Sequence, residues 1–144
     1  MNLWRRRVVV CGVDLTANKA VLAIVQTTPD GSIHIPCQTK RLILGDDRDV
    51  GALEIMRNAI GSFAHQNAIE IFVIKARMAT GRMASGGVSF KIETLFQLSG
   101  VPVGFVSAQA LARFGKTNMG GVPSSVLAYQ EDAFKCGALY LASV

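Results

Sequence analysis

Two apolar, β-branched runs, Val8–Val13 and Ala20–Thr27, are separated by only Asp14–Lys19, a stretch of turn formers. A parallel crossover needs a dozen residues or more, so these two strands must pair antiparallel. Pro29-Asp30-Gly31 is a second turn signal, and it sends a third antiparallel strand back over about Ser32–Leu44. Asp46 and Asp47 then stand where a helix N-cap and first turn favour acids, and Leu53, Ile55, Met56, Ile60 and Phe63 carry that helix to about Gln66.

From there the pattern alternates. Ile69–Lys75 reads as a buried strand, Val88–Leu98 as a helix with Phe90, Thr94, Leu95 and Leu98 on its apolar side, and Val101–Val106 as a fifth strand. A short helix over Ala108–Phe114 follows, then a last helix from about Val126 to Ala142, with Ser124 and Ser125 placed to cap it. The prediction is an α/β fold: a mixed five-stranded sheet, three antiparallel strands followed by parallel ones, with helices on both faces. That order is the ribonuclease H-like arrangement. It excludes a simple doubly wound nucleotide-binding fold, whose first strands alternate with helices.

At 144 residues, half of them hydrophobic and 17% charged, the chain is expected to form one domain (1–144) with a proper core, residues 1–7 being a basic arm. Its three cysteines lack metal-ligand spacing, which fits a reducing, cytoplasmic setting, with Cys11 and Cys136 as small core residues. No stretch approaches the roughly 20 apolar residues of a membrane span. The formal charge of +5 permits nucleic-acid binding without establishing it.

Asp14 is the only acid in the first hairpin. Two readings are open: it caps the turn before Thr16 and Asn18, or it is held at a strand end for chemistry. Near the other end, Leu127, Glu131, Phe134, Ala138 and Leu141 fall on one helical face, which places Glu131 in an apolar stripe where a carboxylate requires a partner. Asp132 points about 100° further round.

The hairpin "VVVCGVDLTANKAVLAIV" resembles the first hairpin of RuvC-type Holliday junction resolvases, whose strand ends in Gly-x-Asp. "VIKARMATGRMASGGVSFKIETLFQL", with "CGVDL", "GGVSFKIE" and "EDAFKCGA", is similar to a bacterial branch of that superfamily, the domain-of-unknown-function family three-thousand-ten. The resemblance spans about Val8 to Leu141. It implies a metal-dependent nuclease scaffold acting on branched or structured nucleic acid, as a homodimer, with Mg²⁺ or Mn²⁺ held by Asp14, Glu131 and Asp132. It also implies a third acid, usually a Glu, at the end of the fourth strand. There the chain reads Ile74-Lys75-Ala76-Arg77, so Ala76 occupies the acid's place and the centre is expected to be impaired. The alternative is a non-catalytic nucleic-acid-binding or protein-interaction module on the same fold.

The segment after this strand is basic and rich in glycine. Lys75, Arg77, Arg82 and Lys91, around Gly81, Gly86 and Gly87, are candidate phosphate contacts, and Lys116 beside Thr117 and Asn118 could reach the same edge. Glu93 could compensate for the missing acid or pair with a base on the surface. His34 and His65 have no ligand spacing, and Trp4 is a candidate packing or subunit contact. No aromatic interleaving points to base stacking.

Overall fold

The computed structural model describes residues 6–76, 86–117 and 121–144. Among these, six strands form one sheet: β1 (Val9–Thr16), β2 (Lys19–Thr28), β3 (Gly31–Ile35), β4 (Arg41–Ile43), β5 (Ile71–Lys75) and β6 (Val103–Val106). The order is β3-β2-β1-β5-β6, with β4 also pairing β2. β2 is antiparallel to β1, β3 and β4, whereas β5 runs parallel to both β1 and β6. The helices are α1 (Val50–Gln66), α2 (Gly87–Gln97), α3 (Ala108–Thr117) and α4 (Glu131–Ala142). This is the ribonuclease H-like mixed sheet that the element order implies.

Three boundaries differ from the sequence reading, each for a local reason. The third strand divides into β3 and β4 because Pro36, directly after β3, cannot donate to a ladder. The cap of α1 is Asp49, whose carboxylate accepts from the backbone N–H of Gly51 and Ala52. Asp46 instead accepts from the Arg48 N–H, and Asp47 pairs with Lys91. The last helix is preceded by a 3-10 turn, Ala128–Gln130, so its regular phase begins only at Glu131. Ser125 bonds the His34 ring.

The pleat divides the core in two. Cys11, Val13 and Leu15 of β1 face α1 and α2, where Phe72 and Phe96 meet edge to face with centroids 4.9 Å apart. α1 buries Met56, Ile60 and Phe63 here, with Ile55 exposed. α2 buries Ser89, Ile92, Leu95 and Phe96, leaving Leu98 outward, so its inner face is turned from the one expected. Val10 faces the other way, with Val21, Val25 and Val73, towards Phe134, Cys136 and Ala138 of α4. Gly12 sits between them. A Cβ on Gly12 would lie 1.7 Å from the Ala133 carbonyl oxygen, and one on Gly137 2.7 Å from Val25 Cγ2. Two glycines thus let α4 lie directly on β1 and β2, which fixes the helix over the sheet.

All three cysteines are free. No helix among the described residues is long and apolar enough to cross a membrane.

Candidate functional site

Asp14 lies inside β1, opposite Val21, two residues before the strand ends. It is therefore held in a ladder rather than in the turn. The turn itself has other braces: Asn18 Nδ2 donates to the Leu44 carbonyl at 3.0 Å, and Leu44 N–H donates to Asn18 O at 2.8 Å. Ala17, at φ 52°, is in the left-handed region, and its carbonyl accepts from Ser89 Oγ at the start of α2.

Side-chain parity places Asp14 on the same face as Val10 and Gly12, under α4. The parallel ladder runs Val10↔Ile71 through Val13↔Ile74, so the next residues, Asp14 and Lys75, follow side by side. Ile74 packs into the opposite core, which puts Lys75 on the face of α4. Its Nζ meets Asp132 Oδ2 at 2.9 Å. Below this pair Cys136 is buried. Desolvation pushes its thiol pKa strongly up, and the Asp14 and Asp132 carboxylates push further in the same direction, against Lys75. Asp14, Lys75 and Asp132 thus share the side of the sheet that α4 covers.

Two expectations are corrected by this geometry. Glu131 is exposed at the first position of α4 and does not share the buried stripe. Leu127, the first residue of that stripe, is 43% exposed, because the 3-10 turn breaks the helical phase before Glu131. The buried polar residue at this end is Gln130: its Nε2 donates to the Leu22 carbonyl at 2.9 Å and its Oε1 accepts from the Leu127 N–H at 3.0 Å. The second correction concerns Ala76. It follows β5, exposed, and its N–H donates to Val106 O at 2.8 Å. The residue of β5 on the face of Asp14 and Asp132 is Lys75, and Ala76 lies beyond the strand end.

The remaining candidates are dispersed. Lys91 is engaged away from this face, with Asp47, whose carboxyl is held below its usual range first by that hydrogen bond. Lys116 is exposed at the end of α3. Glu93 is half-buried on α2, on the other side of the sheet. Trp4, Arg77, Gly81, Arg82 and Asn118 lie outside the described residues. His34 is half-buried, 2.8 Å from Ser125 Oγ, with its ring edge on Phe134.

Could the cluster hold Mg²⁺ or Mn²⁺? Two such ions require several hard oxygen ligands. Every Asp and Glu of the chain falls within the described residues, and no three His, Cys, Asp or Glu side chains there are arranged to hold an ion. One of the two carboxylates already meets an ammonium. The donor set does not fit a two-ion centre.

The sheet order and the helices packed on its two faces define a RuvC-like, ribonuclease H-like fold. The fold matches a Thermus thermophilus RuvC structure with a TM-score of 0.68 and 11% identity, covering 93% of each chain. It matches T. thermophilus RuvC in complex with a Holliday junction substrate at 0.60 and 13% identity, over 94% of this chain and 92% of that one. No curated protein sequence matches. The chain belongs to the family described as "Protein of unknown function (DUF3010)", which matches residues 8–140.

Proposed function

We propose that this chain is a nucleic-acid-binding module on a RuvC-like scaffold, which holds structured or branched nucleic acid by its backbone and does not cleave it through metal ions. The observation that carries the reading is Lys75. It stands in the central row of the sheet beside Asp14, with its ammonium on Asp132. An ammonium in that place offsets the Asp132 carboxylate and weakens the hold of the two acids on divalent cations, which reverses what a third carboxylate would do. The basic excess of +5 supports the same ligand, as does the Arg77 and Arg82 segment that follows β5 in sequence. The RuvC neighbour solved with a Holliday junction adds a fold-level analogy for a branched substrate.

The test uses fluorescence anisotropy with a four-way junction, a flap, a duplex and an RNA–DNA hybrid at two salt concentrations, and gel assays of cleavage in Mn²⁺ and Mg²⁺. The expected result is salt-sensitive binding of the branched forms without cleavage. Metal-dependent cleavage by the unaltered chain, abolished by Asp14→Asn, would refute the proposal in favour of a nuclease. Lys75→Glu, rather than Ala76→Glu, is the substitution that would place a third carboxylate on the site face. Gain of cleavage by Lys75→Glu alone would support the lysine as the element that silences the centre.

A further inference from the structure

On the proposed reading that the chain binds nucleic acid, we infer that Tyr129 and Arg41 form a stacking ledge for one unpaired base at the margin of the Asp14–Lys75 row. The sheet register brings the two regions together. Arg41 pairs with Val21, and Val21 with Asp14, so these three form one row across β4, β2 and β1, and Lys75 is the next residue of β5 after the Val13↔Ile74 pair. Directly paired residues point to the same face, here the face under α4. With strands about 4.8 Å apart, Arg41 stands two steps, on the order of 10 Å, from Asp14 along the backbone row.

At the end of that row the Arg41 guanidinium lies 5.0 Å from the centroid of the Tyr129 ring. Tyr129 is 41% exposed, and Leu127 and Ile43 beside these elements are also exposed. Ile43 shares the face of Arg41, two residues on, and pairs with Lys19. Among the described residues neither Arg41 nor Lys19 meets an acid. The margin therefore presents a π-face, a planar cation, apolar edges and a second cation. That combination suits a nucleotide: the base on the ring or guanidinium, its phosphate on the lysine.

A cation–π tie that merely fastens the 3-10 turn to β4 would be redundant. Gln130, 2% exposed and bonded through both ends of its amide, already anchors that turn to β2. Both halves of the ledge are hydrogen-bonded to β2, β4 through its ladder and the 3-10 turn through Gln130, so little ordering is lost when a base settles on them. The motif is not visible in sequence, because Arg41 and Tyr129 are far apart along the chain.

The experiment measures anisotropy of the full chain with three labelled DNAs of equal paired length: a blunt duplex, the same duplex with a single-stranded flap, and a four-way junction. A 2-aminopurine in the flap reports stacking by its fluorescence. Tyr129→Ala is expected to weaken flap binding about tenfold and to abolish the 2-aminopurine change, with duplex binding within about twofold of the parent. Tyr129→Phe is expected to retain both signals. Equal loss on duplex and flap would overturn the ledge, since that pattern marks a phosphate or folding effect. So would unchanged flap binding by Tyr129→Ala while the parent binds well, or a change in self-association as the variant's only effect. In those cases the nucleic-acid reading survives. If the parent binds none of the three DNAs, that reading falls and the ledge falls with it.

Discussion

Replacing Gly12 by alanine adds a single methyl group, yet the structure assigns it a large effect. The new Cβ would lie 1.7 Å from Ala133 O, 2.8 Å from Ala133 C and 3.0 Å from Gly137 N. All three atoms belong to the backbone of α4, so no side-chain rotation can relieve the contact. To reach the 3.4 Å of ordinary packing, the helix must retreat by on the order of 1.7 Å. That retreat separates Gly137 from Val25, strains the Gln130–Leu22 hydrogen bond and opens the Lys75–Asp132 pair. Overpacking a core by a methylene costs about 1–3 kcal/mol when side chains can adjust. With rigid backbone opposed, the expected loss is at or above the top of that range, about 3 kcal/mol or more. Urea denaturation followed by circular dichroism measures it, and the midpoint should fall with little change in slope. A loss below about 0.5 kcal/mol would refute the claim that Gly12 is the point on which α4 rests.

Three further outcomes follow from other contacts. Gln130→Leu keeps the volume but strands the Leu22 carbonyl and the Leu127 N–H, and is expected to cost about 2 kcal/mol by the same denaturation measurement. Asp49→Ala removes the α1 cap and is expected to cost about 1 kcal/mol, whereas Asp46→Ala should cost clearly less; thermal midpoints compare the two. His34 has a lowered pKa, first by desolvation and then by Lys40. The unfolded state therefore takes up its proton first as pH falls. The stability His34 contributes is present above its ordinary 6.5 and is lost as pH drops through the folded value. Melting curves from pH 8 to 5 should show a smaller decline in His34→Gln than in the parent, and an equal decline would refute the assignment.

The element order was readable because periodicity is written into each segment. The valine-rich hairpin, the Pro-Asp-Gly turn and the later alternation of strand and helix left one reasonable sheet. What misled was local competition. Three acids crowd the entry to α1, and composition could not say that Asp46 would bond Arg48, Asp47 would bond Lys91, and Asp49 alone would cap. Pro36 breaks the third strand because it has no N–H to give a ladder, and this outweighs the β-branched residues around it.

For the site, strand parity decided what residue type could not. A strand residue acts on the face it points to, and one step along the chain reverses that face. Asp14 points to α4 because Val13 and Leu15 point away from it. By the same count Ile74 belongs to the far core and Lys75 to the near face. The resemblance implies an acid at Ala76, which lies exposed beyond β5, whereas the strand residue on the face of Asp14 is Lys75. An alanine there would be a gap, a site with one ligand removed and its neighbours unchanged. A lysine brings the opposite charge, and the Lys75 ammonium lies on the Asp132 carboxylate. Loss of a ligand leaves a weakened metal site, whereas an internal ammonium satisfies the remaining acid and needs no ion. The Lys75–Asp132 pair is therefore self-consistent as it stands, while Arg41 and Lys19, two residues apart in register along β2, carry positive charge at the β4 margin of the same face.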